Sequence, residues 1–179
     1  MATIHLIRHG EAAAHWTEAE DAALSALGNQ QAAAVAALLA SRNPVSIYAS
    51  PLRRARETAM HLESAWNKAA TIEAAIAEIP TQGAALAEKS SWLDALAKGG
   101  WPGADAHSRR WRKDVLDFVT RIESDAVIFT HFVVINVLVG AALERDDVYV
   151  FRPANTSITT IHSEGGRLRL IEQGAEVAL

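Results

Sequence analysis

The sequence contains no cysteine and carries no excess of positive charge. Without cysteine the chain has no disulfide scaffold, no cysteine-ligated metal site and no cysteine nucleophile. Its 17 lysines and arginines are outnumbered by 21 aspartates and glutamates, which gives a net charge of −4. That balance disfavours general nucleic-acid binding, which needs a broad basic surface. We therefore expect no nucleic-acid partner.

Long hydrophobic runs are also scarce. The N-terminal apolar run ends at Arg8 and is too short for a signal peptide. The most apolar stretch, residues 126–143, has about the length of a bilayer-spanning helix. It would place His131 and Asn136 at the bilayer centre, where polar groups are costly. A strand followed by a buried helix explains this stretch better, so we expect a cytoplasmic protein with no membrane partner.

The composition is otherwise that of an ordinary folded domain. Half of the 179 residues are apolar and 21% are charged, whereas disordered chains are poor in apolar residues. The length suits one domain with a sizeable core. We expect a single domain over residues 1–179.

Short apolar runs alternate with longer segments of helical character. Strands are predicted at residues 3–7, 46–49, 71–79 and 126–130, and a hairpin at 157–162 and 167–172. Helices are predicted at 25–41, from 50 to about 68, near 91–98, over 111–122 and at 132–143. This alternation indicates an α/β fold, a three-layer α/β/α sandwich whose central sheet is mostly parallel with an antiparallel edge strand.

The starts of the first two helices carry capping signals. Ser25 is the predicted cap of the first helix. In that helix one shared face is predicted for four apolar side chains, Leu27, Val35, Leu38 and Leu39. Ser50 is the predicted cap of the second helix and Pro51 its first residue, since proline has no N–H to lose there.

His9 follows directly after the first predicted strand, between Arg8 and Gly10. In open α/β sheets, ligands bind beyond the carboxyl ends of the strands. Glycine lets backbone N–H groups approach a ligand closely. This position suits an imidazole that faces an anion, although a single histidine near a strand end is more often structural or solvated.

Arg53 and Arg54 lie in the first turn of the second predicted helix. Cations at that end oppose the helix dipole by roughly 0.3–1 kcal/mol. An anion bound at the helix terminus would reverse the sign of this effect. Alternatively, both arginines point into solvent, where screening makes the penalty small.

His131 ends another predicted strand and begins another helix, which repeats the position of His9. It is either a satisfied core residue or part of an anion site. Together with Arg8, His9 and Arg54 it would form a compact cationic pocket in a net acidic protein. Such a pocket suits a phosphoryl group.

The ordered motifs resemble those of the histidine phosphatase superfamily, which has the phosphoglycerate mutase-like fold. The matching segments are spread over almost the whole chain. They are Leu6-Ile7-Arg8-His9-Gly10-Glu11, the D-x-x-L-S-x-x-G-x-x-Q-A pattern from Asp21 to Ala32, Ser50-Pro51-Leu52-Arg53-Arg54-Ala55 with Thr58-Ala59, Ala77-Glu78-Ile79, Thr130-His131 and Asn155-Thr156-Ser157.

The resemblance implies a phosphoric monoester hydrolase that needs no metal or other cofactor. By position, His9 is the nucleophile that takes the phosphoryl group, and Arg8, Arg54 and His131 bind the phosphate oxygens. Glu78 would protonate the leaving group and then deprotonate the attacking water. The chemistry is consistent, because imidazole attacks phosphorus only through a neutral nitrogen and neighbouring cations favour the neutral ring. A small phosphorylated substrate is favoured over a phosphoprotein.

Several positions depart from the family pattern. Ala12 stands where threonine or serine is common, and Phe132 follows His131 where glycine is usual. His15 lies where an asparagine often contacts phosphate, and would either donate to the phosphate or remain a solvated loop residue. Glu78 lies in a short motif, so its alternative is a surface glutamate.

Few residues separate Glu78 from His131. Mutase branches of the family carry longer insertions here that cover the substrate. A short cap region at about residues 80–110 leaves access for water and favours hydrolysis over phosphoryl return. The alternatives are a phosphoglycerate-type mutase, or a low-turnover phosphate-binding regulatory module on the same fold, which Ala12 and Phe132 keep open.

Overall fold

The computed structural model describes residues 1–81, 83 and 85–177. Six strands form one sheet. They are β1 (Ala2–Arg8), β2 (Ser46–Ala49), β3 (Thr71–Ile72), β4 (Ala126–Thr130), β5 (Ile158–Glu164) and β6 (Arg167–Glu172). Five α-helices are α1 (Ala26–Ala40), α2 (Arg53–Trp66), α3 (Lys89–Gly103), α4 (Ala106–Thr120) and α5 (Phe132–Ala142), with 3₁₀ turns at Ala74–Ile76 and Leu86–Glu88. None of the helices within the described ranges is long and apolar enough to cross a bilayer.

The strand order is β3-β2-β4-β1-β5-β6. The first four of these strands run parallel, β5 is antiparallel to β1, and β5 pairs with β6 as a hairpin at the edge. This confirms the predicted α/β fold with a mostly parallel sheet and an antiparallel edge. In the register of β1 and β4, Arg8 lies opposite Thr130. The residues that follow, His9 and His131, therefore leave the sheet side by side.

Helices cover both faces of the sheet. Neighbouring strand residues face opposite sides, so Leu6 and Ile128 pack with α4 and α5, whereas Ile7 and Phe129 pack with α1 and α2. All four strand side chains are completely buried. The alternation of side-chain direction along a strand thus builds the three layers that the sequence predicts.

The first helix buries three small residues together with Val35 and Leu39. Ser25 caps α1 as predicted, since its side chain accepts a hydrogen bond from the Gly28 N–H. The predicted apolar face is wrong in part, because Leu27 and Leu38 are 49% and 70% exposed. The buried positions of the helix are Gly28, Ala32, Val35, Ala36 and Leu39. Small side chains let α1 lie close to α2 and to the loop after β1.

The second helix begins later than predicted. It starts at Arg53, and Ser50 does not cap it. The Arg53 N–H instead donates to Oδ1 of Asp21 over 2.6 Å. A carboxylate from a distant segment therefore stabilises this helix terminus, which a local sequence pattern does not predict.

Two further boundaries differ from the prediction. The third strand is confined to Thr71–Ile72, because the Glu73 side chain accepts from the Ala75 N–H and the chain turns into a 3₁₀ helix. The helix predicted near 91–98 is longer and spans Lys89–Gly103, with a kink at Gly100, whose φ is 62°. Most of the predicted cap region lies in α3 and the start of α4, and its residues 82 and 84 lie outside the described part.

Candidate active site

His9 stands at the carboxyl end of β1 with its backbone and ring both fixed. Its N–H donates to the Thr130 carbonyl over 3.0 Å, and its carbonyl accepts from the Asn155 side-chain amide over 2.9 Å. The ring Nδ1 lies 2.7 Å from the carbonyl oxygen of Gly10. Because a carbonyl only accepts, Nδ1 carries the ring hydrogen and Nε2 keeps its lone pair.

The electrostatic environment keeps the His9 ring neutral. Burial, together with the charges of Arg54 and Arg8, lowers its pKa to about 3, although the hydrogen bond to Gly10 acts in the opposite direction. At neutral pH the ring is therefore unprotonated, the form that a nucleophilic imidazole needs.

Of the two arginines at the start of α2, only Arg54 belongs to the site. It is buried, and its Nε donates to Nε2 of His9 over 3.2 Å. Arg53 is exposed and pairs with Glu57 at 2.6 Å. Thr58 joins the helix to the histidine loop, because its hydroxyl donates to the Arg54 carbonyl and accepts from the Gly10 N–H.

Arg8 lines the same cavity from the end of β1. One of its terminal nitrogens donates to the Pro153 carbonyl over 2.8 Å. Its guanidinium carbon lies 5.4 Å from the ring centroid of Phe132, a distance suited to a cation–π contact. Phe132, which departs from the family pattern, therefore packs against Arg8. The Phe132 and Tyr149 rings meet edge to face, with their centroids 5.2 Å apart.

His131 is completely buried, with its ring centroid 5.1 Å from that of His9. Its Nε2 is hydrogen-bonded to the Ser50 hydroxyl at 2.7 Å. Its Nδ1 is buried and has no hydrogen-bond partner among the described residues. Burial, followed by the nearby His9, Arg54 and Arg8, lowers its pKa well below the ordinary value. The ring is therefore not a satisfied core histidine.

Glu78 lies in the cavity and is not a surface glutamate. One carboxylate oxygen accepts from the Ile79 N–H at 3.1 Å and the other from the Val133 N–H at 3.3 Å. Burial raises the pKa of this carboxyl group, although both hydrogen bonds and the charges of Arg54 and Arg8 act in the opposite direction. The sequence indicates Glu78 only through a short motif. In the structure, Glu78 lines the same cavity as His9.

His15 is an exposed residue at the rim of the cavity. Its Nδ1 lies 2.6 Å from the Thr17 hydroxyl. Within the described chain, no hydrogen bond joins it to Arg8, His9 or Arg54. The structure thus places His15 near the site but outside the cluster around His9.

The loop after His9 is tied to the start of α1. The Glu11 N–H donates to the Gln31 side chain over 2.8 Å, and the Ser25 hydroxyl donates to the Glu11 carboxylate over 2.7 Å. A Cβ added to Gly28 would lie 2.0 Å from the Glu11 carbonyl oxygen. The glycine, serine and glutamine of the matching pattern therefore hold the loop that follows His9 in place.

Arg8, His9, Arg54 and Glu78 line a cavity of about 620 Å³, whereas the buried His131 lies behind His9 and is not part of its wall. Helix α3 contributes Leu93 and Asp94 to its wall, and the segment after α5 contributes Tyr149 and Arg152. Such a volume suits a small-molecule substrate rather than a phosphate ion alone. In the described ranges, no three histidine, aspartate or glutamate side chains form a group that could hold a metal ion.

Several contributors to the site were missed from the sequence. Ser50 was interpreted as a helix cap, yet its hydroxyl contacts His131. Thr58 and Asn155 lie in the matching motifs, and this position is the one sequence feature that indicates a part in the site for either residue. No sequence signal marked Tyr149 or Arg152.

The family comparison is decisive once this geometry is known. The sequence model of the histidine phosphatase superfamily (branch 1) matches residues 4–175. The chain belongs to the histidine phosphatase superfamily. No curated protein is significantly similar to it in sequence.

Solved structures agree with this membership. A phosphoserine phosphatase from Entamoeba histolytica, solved with phosphoserine, is 25% identical with a TM-score of 0.73, over 96% of each chain. A mycobacterial glucosyl-3-phosphoglycerate phosphatase is 23% identical with a TM-score of 0.75, over 98% of this chain and 100% of the other. YhfR from Bacillus stearothermophilus is 21% identical with a TM-score of 0.78, over 99% and 98%. The predicted phosphoglycerate mutase-like fold and the predicted class, a histidine phosphatase, are confirmed.

Proposed function

We propose that this histidine phosphatase hydrolyses a small phosphomonoester through a phosphohistidine on His9. The observation that carries the proposal is the lone pair of His9 Nε2, which faces Arg54 in a cavity shared with Arg8 and Glu78. A neutral nucleophile, two cations and a carboxyl group of raised pKa are the groups that phosphoryl transfer requires.

In the first step, Nε2 of His9 attacks phosphorus and the bond to the leaving oxygen breaks. The ring gains positive charge, which the hydrogen bond from Nδ1 to the Gly10 carbonyl stabilises. The guanidinium groups of Arg8 and Arg54 bind the equatorial oxygens, on which negative charge is concentrated.

His131 supplies a further donor to the phosphoryl oxygens. The Ser50 hydroxyl accepts from the Leu52 N–H, so its own hydrogen is free to point to Nε2 of His131. That arrangement places the proton of the neutral ring on Nδ1, the nitrogen without a partner in the described structure. A bound phosphoryl group gives this buried donor an acceptor.

Glu78 acts as the general acid and then as the general base. Its raised pKa favours the protonated carboxyl group that an alkoxide leaving group needs. The resulting carboxylate accepts a proton from water as the water attacks the phosphohistidine. The N–P bond then breaks, inorganic phosphate leaves and His9 returns to its neutral form.

The named relatives support a small phosphorylated substrate. They are described as phosphatases for phosphoserine and for glucosyl-3-phosphoglycerate. The cavity volume of about 620 Å³ suits compounds of that order of size.

A panel of phosphomonoesters, assayed for phosphate release with a chelator present, tests the function. We expect the wild-type protein to release phosphate and His9→Ala to release none, with an unchanged circular dichroism spectrum. Rapid quenching into alkali should reveal a phosphoryl adduct in the wild type only, and this adduct should be stable in alkali and lost on treatment with acid. Phosphate release by folded His9→Ala would overturn the proposal. Transfer between two positions of one substrate would indicate a mutase, and binding without turnover a regulatory module.

A further inference from the structure

The cavity extends beyond the groups that surround the phosphoryl position, and its outer part contains an arginine with no assigned role. Arg152 lines the cavity on the segment that follows α5. Its side chain forms no hydrogen bond or ion pair with any residue that the structure describes. Exposed arginines such as Arg110 and Arg121 also have no side-chain partner among the described residues, but unlike them Arg152 lines the cavity.

The backbone that carries Arg152 is rigidly held. The Arg152 N–H donates to the Glu176 carboxylate over 3.0 Å, and its carbonyl accepts from the Val177 N–H over 2.9 Å. The preceding residue, Phe151, is buried, and its N–H donates to the Asn136 side chain over 3.0 Å. The following residue, Pro153, accepts the hydrogen bond from Arg8. Arg152 is therefore linked to Arg8, the proposed phosphate-binding arginine, through a single residue, Pro153.

The charges around this part of the cavity are mixed. Burial, with the charges of Asp94 and Glu78, raises the pKa of the Tyr149 hydroxyl, and Arg152 acts in the opposite direction. The tyrosine thus lies within electrostatic range of all three groups. Asp94 lines the same cavity as Arg152, and its negative charge disfavours a dianion such as a second phosphoryl group more than it disfavours a singly charged anion. A carboxylate carries a single charge and matches the fork of a guanidinium group in shape.

We propose that Arg152 is a specificity-determining residue that binds a carboxylate carried by the substrate beyond its phosphoryl group. The proposal rests on the proposed phosphatase function and narrows its substrate to phosphorylated carboxylic acids. The carboxylate gains a charge-assisted hydrogen bond from the guanidinium group, and because the backbone of Arg152 is already held, only its side chain has to be ordered on binding.

A matched pair of substrates tests this directly. The compounds 3-phosphoglycerate and glycerol 3-phosphate differ at a single carbon, which is a carboxylate in the first and a hydroxymethyl group in the second. We expect the wild-type kcat/KM to favour 3-phosphoglycerate, and Arg152→Gln to lower that ratio by about tenfold or more, because hydrogen bonds to charged groups are strong. The change should lie mainly in KM, and Arg152→Lys should retain part of the preference.

Two control variants separate a direct contact from general electrostatics. Arg110→Gln removes the same charge from an exposed position of α4 outside the cavity, and should leave the ratio within about twofold of wild type. Asp94→Asn raises the cavity charge without touching Arg152, and should not lower the ratio. Equal ratios in wild type and Arg152→Gln, or an equal fall in Arg110→Gln, would overturn the proposal.

Binding measurements make the proposal independent of turnover. Calorimetry with His9→Ala and His9→Ala/Arg152→Gln gives the affinity of both compounds in folded, non-hydrolysing protein. A carboxylate preference that Arg152→Gln removes supports the subsite, even if the wild type releases no phosphate and the proposed function fails. No preference in His9→Ala would overturn the subsite while leaving the phosphatase function standing.

Discussion

Nε of Arg54 donates a hydrogen bond to Nε2 of His9 across 3.2 Å, and both side chains are buried. The guanidinium group thus lies beside the lone pair that is proposed to attack phosphorus. It also helps to keep the pKa of His9 low. In the proposed reaction, the oxygens of an entering phosphoryl group replace the imidazole as the acceptor for Arg54, so the same donor serves both states.

Replacing Arg54 with alanine should therefore lower kcat/KM by about 30- to 150-fold, corresponding to about 2–3 kcal/mol of transition-state stabilisation. Arg54→Lys should recover only part of this, because an ammonium group lacks the guanidinium fork. The neighbouring Arg53→Ala is the matched control and should stay within about threefold of wild type, since Arg53 pairs with Glu57 at the surface. Steady-state kinetics on one phosphomonoester decides the matter, and a loss below tenfold in Arg54→Ala would remove it from the phosphate site.

The convergence of these residues could be predicted because it depends on topology. His9 and His131 each follow a buried strand, and the carboxyl ends of parallel neighbouring strands lie at one edge of a sheet. The pairing of Arg8 with Thr130 realises this expectation. The motif that contains Arg54 places it in the first turn of a helix directed at the same edge.

The remaining contacts could not be predicted because they depend on long-range packing. At the start of α2, Asp21 rather than Ser50 accepts the hydrogen bond from the Arg53 N–H. The Ser50 hydroxyl is instead hydrogen-bonded to His131, 81 residues away. The buried face of α1 includes Gly28, where the helix meets the backbone of the loop after β1, and this rotation of the helix leaves Leu27 and Leu38 exposed. A local sequence pattern carries no information on these long-range contacts.

The proposed role of Glu78 as general acid predicts how activity depends on pH and on the leaving group. Because its pKa is raised, the acid form is lost only as pH rises through that raised value, which should give kcat/KM an alkaline limb. Glu78→Gln should abolish that limb. The variant should lose far more activity on an alkyl phosphate than on p-nitrophenyl phosphate, whose leaving group departs without a proton. Equal losses on both substrates would assign the proton to another residue.

The buried histidines predict a loss of stability in acid. The pKa of His9 is about 3 in the folded protein, against an ordinary value of 6.5. As pH falls below about 6.5, His9 becomes protonated in the unfolded chain but stays neutral in the folded protein until about pH 3. The unfolded state therefore binds more protons over this window, and the free energy of unfolding decreases. The slope reaches about 1.4 kcal/mol per pH unit for each such histidine. Urea unfolding between pH 7 and pH 4 should show a shallower slope for His9→Asn, and parallel curves would contradict the lowered pKa.

The approach of α1 to the histidine loop predicts that Gly28 tolerates no side chain. A Cβ there would lie 2.0 Å from the Glu11 carbonyl oxygen, which is backbone and held by the Ser25 N–H. Gly28→Ala must therefore shift either the helix or the loop, and should destabilise the protein by about 1–3 kcal/mol, as overpacked sites do. Since the loop carries His9, kcat should fall as well. Gly99→Ala in α3 is the matched control, because its Cβ would meet nothing within 4 Å. Thermal unfolding and kcat of both variants measure the difference, and a Gly28→Ala protein as stable and active as Gly99→Ala would show that the contact does not constrain the site.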